Sequence, residues 1–339
     1  MRSSDLFRSR RPLGVAAVLL AASAVASPAR AQPAPQGPPQ AGGFAVERLY
    51  PSAPGGGWFV MDALDMHGGL GGVMALTTGF SLDPLRVADA GGHLNVVSDR
   101  GYADFGFAVT YDRYRLYLNM DAPFVSEGGS GIASGHAFSG PSLALPNSPD
   151  TLSDARIGFD ARIVGDSGSR FRLGAGAQLF IPNGERADYI SDGTYRAMLR
   201  VLAAGDVGML TYAAQLGVHI RPLDDGPTPG SPRGSELLFG VASGVKLRLG
   251  GDGGGGGSAA FILGPEIFGA TAFRSFFGAT TTALEGLLSV RYEGTSEKGP
   301  PLRLKLGTGG GIDQEFGAPA WRAVFSIEVF GREPAPGHP

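Results

Sequence analysis

Between Asp154 and Gln178 the charged and amide side chains fall on every second position: Asp154, Arg156, Asp160 and Arg162, then, past a short turn, Arg172 and Gln178. The same phase, carried along the chain, collects Arg196, Arg200, Gln215, His219, Lys246, Arg248, Glu266, Glu285, Arg303, Lys305, Arg322 and Glu328. Mixed charges lined up in this way can do one of two things. They can set up a transverse field that screens permeating solutes and favours small polar ones, or they can pair with one another and seal the interior they face. Both readings stay open at this stage.

Bond-making chemistry finds less support. A serine–histidine–acid arrangement needs a histidine within reach of a serine, and the histidines are His67, His93, His136, His219 and His338. His136 stands near Ser134 and Ser139, but no Gly-x-Ser-x-Gly elbow frames it, so no enzymatic activity is expected. The glycine pattern at Gly251 to Gly256 comes from a glycine run without a strand-then-helix context and marks no nucleotide site. With no cysteine in the chain, thiolate metal sites and disulfides are excluded, and neither cofactor nor metal is expected.

The elements that carry these residues alternate. Ala155, Ile157, Phe159, Ala161 and Ile163 oppose the charged set of the first strand; Phe171, Leu173, Ala175, Ala177, Leu179 and Ile181 oppose that of the second. A period of two puts the two sets on opposite faces of a pleated strand. Soluble strands usually run about 5–6 residues; these are roughly twice as long, as a tilted strand needs to be to cross a bilayer. An unpaired backbone group in hydrocarbon costs several kcal/mol, so such strands must close on themselves. The expectation is a closed, antiparallel, up-and-down transmembrane β-barrel over residues 68–330, of about twelve strands, with 10–14 in range.

In sequence order the strands begin with Leu70 to Leu82, a connection at Asp83-Pro84, and Leu94 to Tyr111. Tight turns are expected at 112–113, 165–169 and 205–208. Longer connections are expected at 121–151, 182–193, 222–234 and 271–281, an asymmetry that matches short periplasmic turns and long external loops. Tyr111, Tyr195, Trp321 and Phe330 are expected in the interfacial aromatic girdles. A lumen of this width should be wet but constricted.

Residues 1–31 read as an export signal, with Arg2, Arg8, Arg10 and Arg11 ahead of an apolar run and Ala29-Arg30-Ala31 as the cleavage pattern. Removing this segment, which carries five arginines and one aspartate, takes the formal net charge from −3 to −7. An acidic mature chain speaks against a nucleic-acid partner. Residues 32–67 read as a flexible lead-in, periplasmic over Gln32 to Gly43, that docks in the lumen in part through Phe44, Leu49, Tyr50, Trp58 and Phe59. Residues 331–339 read as a disordered tail. Glycine, at 56 residues, is more than double its ordinary share of about 7% and is spread through the alternating segments, as small lumen-facing and turn positions require.

Four stretches carry a resemblance: Phe44-Ala45-Val46-Glu47-Arg48-Leu49-Tyr50-Pro51, Gly55-Gly56-Gly57-Trp58, Asp83-Pro84-Leu85 and Leu263-Gly264-Pro265-Glu266. Over most of residues 44–330 the chain resembles the barrel portion of OmpA-family outer-membrane proteins of myxobacteria and related delta-proteobacteria. That resemblance implies a Gram-negative outer-membrane location, with outer-membrane lipid and the barrel-assembly machinery as partners and Phe330 as the terminal aromatic signal. Residues 331–339 depart from its strict C-terminal placement. The peptidoglycan-binding domain that the family often carries does not follow the barrel, so a cell-wall tether is not carried over. The expected function is porin-like passage of small polar solutes or a structural surface scaffold; the alternative is a binding or adhesion module acting through loops 123–150 and 222–234.

Overall fold

The computed structural model describes residues 37–89, 92–145, 152–223, 234–249, 259–294, 301–314 and 317–332. The export signal, its cleavage near Ala31, residues 333–339 of the tail, the glycine run at 250–257 and most of loop 222–234 lie outside them.

Long alternating segments become strands in chain order: β1 (Leu70–Asp89), β2 (Gly92–Tyr111) and β3 (Tyr114–Glu127), then the short β4 (Gly131–Ala133), β5 (His136–Phe138) and β6 (Ser142–Ala144). There follow β7 (Ala155–Val164), β8 (Arg172–Ile181), β9 (Arg196–Val207), β10 (Leu210–Ile220), β11 (Glu236–Leu249), β12 (Ala259–Ala272), a single 3-10 turn at Phe273–Ser275, β13 (Thr282–Gly294), β14 (Leu302–Asp313) and β15 (Trp321–Arg332). β1, β2, β3 and β7 to β15 pair antiparallel, each with its neighbour in that series. The ring closes where β15 meets β1, from Gly71 opposite Arg332 to Leu82 opposite Trp321. The fold is therefore a closed twelve-stranded antiparallel barrel. Closure gives each of these twelve strands two partners and leaves the ring without an edge. Among the described residues no helix is long and apolar enough to cross a membrane.

The two faces match two solvents. Met74, Phe107, Leu116, Ile157, Leu199, Leu216, Val241, Leu263, Leu288 and Leu306 are exposed on the outside, while Arg100, Arg115, Asp160, Arg172, Glu266 and Arg322 are buried within. In water this arrangement would expose a continuous apolar girdle while burying charge; in lipid both faces are at ease.

Three sequence expectations shift. Asp83-Pro84 does not connect two strands; it is a bulge inside the 20-residue β1, where the register with β2 slips between Leu82 and Leu85. Pro84 has no N–H to give to a ladder, and Asp83 takes a left-handed φ of 50°, so the strand bends and continues. The turn expected over 205–208 narrows to Gly208-Met209, with Gly208 at φ 63°, because Gly205 and Asp206 stay paired with Tyr212 and Thr211. Pro123 lies within β3, and the connection after it is partly ordered: β4 and β5 pair with each other, and β6 pairs with the end of β3.

Candidate functional site

Residues 38–67 run through the lumen from end to end. At the end with the long connections, Ala41 N–H donates to Ala137 O at 2.8 Å, Val46 N–H donates to Tyr189 O at 3.1 Å, and Arg186 Nε donates to Gly43 O at 2.6 Å. At the end with the short turns, Arg162 donates to Met66 O at 2.6 Å, Ser167 Oγ donates to Asp65, and Asp112 N–H donates to Gly69 O at 3.2 Å. Phe44, Leu49, Trp58 and Phe59 are buried and Tyr50 is half-buried. The aromatic and leucine side chains expected to dock do so, and the chain between them is ordered as well, so residues 38–67 form a continuous docked filler with residues 38–43 at the end opposite the tight turns.

The wall holds this segment mostly by polar contacts to its backbone. Glu266 accepts the N–H groups of Phe59 and Val60, each at 2.9 Å. Arg156 donates to Pro51 O at 2.7 Å, Arg172 Nε to Ala63 O at 2.9 Å, Arg162 also to Leu64 O at 3.1 Å, and Lys305 to Trp58 O at 3.3 Å. Side-chain pairs add to this hold. Asp62 meets Arg115, which also donates to Asp160 at 2.8 Å; Arg322 donates to Glu47 at 2.8 and 3.0 Å. Arg48 reaches Glu236 at 3.1 Å.

The opposite side of the segment is greasy. Leu49, Trp58, Phe59, Val60 and Met61 form one cluster with Ala204, Ala213, Ala242, Ile262, Phe268, Leu287 and Val324 of the wall. The lumen therefore contains an apolar core and is not simply a wet constriction. Its signal in the sequence was an inward phase that is itself apolar: Leu238-x-Gly240-x-Ala242-x-Gly244 on β11 and Ile262-x-Gly264 on β12. A strand apolar on both faces is covered on both faces. The inward glycines make room for the filler, since a Cβ on Gly244 would stand 2.7 Å from the Trp58 ring.

The lumen-lining residues expected from the sequence fall into three groups. Arg156, Arg162, Arg172, Glu266 and Arg322 touch the segment directly. Asp160, Arg196, Arg200, Glu285 and Arg303 are buried and pair within the wall: Arg200 with Asp160 at 2.9 Å, Arg196 with Asp154 at 2.8 Å, Glu285 with Arg322 at 2.6 Å and Arg303 with Glu328 at 2.9 Å. Lys246, partly exposed, reaches Glu293 at 3.4 Å, and Arg248 is exposed at the turn end of β11. Missing from the expected set are Arg115 and Arg100, which share the inward parity of β3 and β2, and Glu47 and Asp62 of the segment. Parity gives the first two; the last two follow only once the segment is inside.

Of the aromatics, Tyr111 is exposed at the turn rim and Tyr195 and Trp321 at the loop rim. Phe330 is corrected: it shares the parity of Arg322 and Glu328, packs against Ala53, Val73, Ala108 and Tyr117, and lies 5.0 Å beneath the Arg303 guanidinium. It faces inward. Phe273, Phe276 and Phe277, exposed together at the loop rim, are an aromatic cluster of girdle type that alternation could not reveal because they lie in a turn.

A clamp built around Asp192 and Arg221, just beyond the strand ends, closes the loop end. Arg221 donates to both Asp192 oxygens, at 2.7 and 2.6 Å, and to Glu236 at 2.7 Å, while Asp192 also accepts Ala45 N–H at 2.8 Å. Burial would raise the Asp192 carboxyl, but Arg221 and Arg196 outweigh it and hold the group below the usual aspartate range. His136, in β5, has Nδ1 3.1 Å from the Ser134 carbonyl, while the Ser134 hydroxyl donates to Ala88 O at 2.9 Å. Among the described residues no group of three or more histidine, aspartate or glutamate side chains is placed to hold a metal ion.

Fold and site together define a membrane-type antiparallel barrel whose interior is filled by its own N-terminal segment. No protein-family model and no curated protein matches the chain. Among solved structures it is similar to the COG4313 outer membrane channel from Pseudomonas putida F1, at 15% identity and a TM-score of 0.45 over 78% of this chain and 96% of that one. It is also similar to the NanC porin, at 8% identity and a TM-score of 0.45 over 77% of this chain and 99% of that one. A bacterial polysaccharide outer membrane secretin is similar at 9% identity and a TM-score of 0.42, over 80% of this chain and all of that one.

Proposed function

We propose that the protein is an outer-membrane barrel for restricted passage of small polar solutes, in which residues 38–67 are the closing element. Its partners are outer-membrane lipid on the outside, the barrel-assembly machinery during insertion, and the solute within; nothing in its acidic composition suits nucleic acid. The observation that carries this reading is the nature of the segment's hold: hydrogen bonds from Arg156, Arg162 and Arg172 to its carbonyl groups and from its own N–H groups to Glu266. Water or a polar solute can replace such bonds at little net cost, because each exchanges for a comparable one.

The OmpA-family resemblance stays part of the proposal. Two of its motifs, 44–51 and 55–58, lie in the segment, and a third carries Glu266, which grips it. The adhesion alternative gains no support from the β4–β5 hairpin, which is engaged by Pro39 and Ala41. No bond-making chemistry is proposed.

The test is conductance in planar bilayers. The wild-type chain should give rare, brief steps, and Arg172→Met combined with Glu266→Gln should lengthen the open time. If the double variant still shows the gel shift of a folded barrel yet never conducts, the protein is a scaffold and the passage reading fails.

A further inference from the structure

Between residues 45–51 of the segment and the inner wall of β2, β3, β7, β8 and β9 lies a cavity of about 60 Å³. At roughly 10–15 Å³ of such space per water, it takes a molecule of about four to six non-hydrogen atoms. Its lining has unspent hydrogen-bonding capacity of both kinds. Asp104 is buried and accepts from the Asn119 amide at 2.5 Å; Asn119 Oδ1 and Asp121 Oδ1 are buried with no protein partner. On the donor side, Arg156 spends one nitrogen on Pro51 O, while its other terminal nitrogen has no protein partner, as is also true of Arg100 Nη1 and Arg196 Nη1.

Strand register sets these groups side by side. Arg156 on β7 stands opposite Asn119 on β3, and Asp104 on β2 stands opposite Asp121, two residues along β3 from Asn119. Acceptors and donors thus occupy adjacent stations around one band of the wall. Charge in the lining is close to balance. Glu47 is shared by Arg322 and Arg100, Arg100 also reaches Asp121 at 3.4 Å, and Arg196 holds Asp154 at 2.8 Å, which leaves Asp104 against Arg156. A lone anion would leave the acceptors unanswered, and a lone cation would leave the guanidinium groups so. Burying either without its counterpart is costly.

We propose that this cavity binds a small zwitterion of amino-acid type, its carboxylate on the terminal Arg156 nitrogen that Pro51 leaves free and its ammonium group on Asp104, Asn119 and Asp121. This rests on the passage reading above, whose solute class it names.

The test is saturation-transfer NMR on the full chain in detergent, with glycine, acetate, methylammonium and acetamide as separate probes. Glycine should receive transfer while the other three receive little. Asp104→Asn, which keeps the shape of the side chain, and Arg156→Met should each weaken glycine binding about tenfold or more, the scale of a lost charged hydrogen bond. Asp166→Asn, on the turn between β7 and β8, should leave it unchanged. Equal transfer to all four probes, no transfer to glycine, or full binding in both cavity variants would overturn the assignment. Conductance measured on the same preparations separates the two failures: steps without glycine binding sink the site alone, whereas absent steps sink the passage reading.

Discussion

Glu266, halfway along β12, accepts the Phe59 main-chain N–H at 2.9 Å and so fixes the lumen segment at mid-height. The second carboxylate oxygen takes Val60 N–H, so one side chain answers two buried donors. In Glu266→Gln one of those oxygens becomes an NH2 group facing an N–H, at a cost of about 1–3 kcal/mol. With Trp321→Phe as background, Trp58 is the remaining tryptophan, and its emission should move to the red when the segment loosens. Unchanged emission together with unchanged thermal unfolding would remove Glu266 from its anchoring role.

Arg115 serves two carboxylates at once, Asp62 of the segment and Asp160 of the wall. Arg115→Met would leave both buried beside each other without their shared cation and should lower stability by about 3–5 kcal/mol. Asp62→Asn should cost clearly less, because Arg115 keeps Asp160, which Arg200 also holds. Urea unfolding in detergent reads both changes. Equal losses would mean that the Asp62 contact carries the whole effect.

Gly244 stands where the Trp58 ring passes closest to the wall. Gly244→Leu must displace the indole and crowd the Leu263 carbonyl, 2.9 Å from an added Cβ; overpacking of this kind costs about 1–3 kcal/mol. The barrel ladder itself is untouched, so the variant should insert and keep its gel shift while residues 50–60 become open to added protease. Continued protection would show that the segment shifts instead of leaving.

The direction of the segment is open to direct measurement because the chain has no cysteine. Gln40→Cys lies at the loop end and Asp166→Cys on a short turn, both exposed. With long loops facing outward, a membrane-impermeant maleimide added to intact cells should label position 40 and spare position 166 until the cells are opened. The reverse pattern would invert the barrel.

Acid should act late on the loop-end clamp. Arg221 and Arg196 hold Asp192 below its ordinary value, so the stability it supplies is fully present above the unfolded aspartate pKa of about 3.9 and is lost only as pH falls through the lower, folded one. The difference in thermal midpoint between wild type and Asp192→Asn should therefore be constant from pH 7 to 5 and narrow only below about pH 4. Narrowing that begins near pH 6 would mean that another group governs the clamp.

What the residue order determined by itself was the barrel. A period of two holds along each strand whatever lies beside it, so Ile157 against Arg156, Leu199 against Arg200 and Phe325 against Arg322 already assign lipid and lumen, and strand length assigns the span. The inward parity of Phe330 was equally legible, since it differs by an even number from Arg322. Only the tertiary structure decided what the charges face. Residues 38–67 have no period, and their partners Arg115, Glu266 and Arg322 are separated from them by 53 to 275 positions in the chain. Such contacts depend on closure of the ring, which brings inward faces of strands far apart in sequence around one strip of chain. Local alternation tells each side chain which way to point; it cannot tell it what will be there.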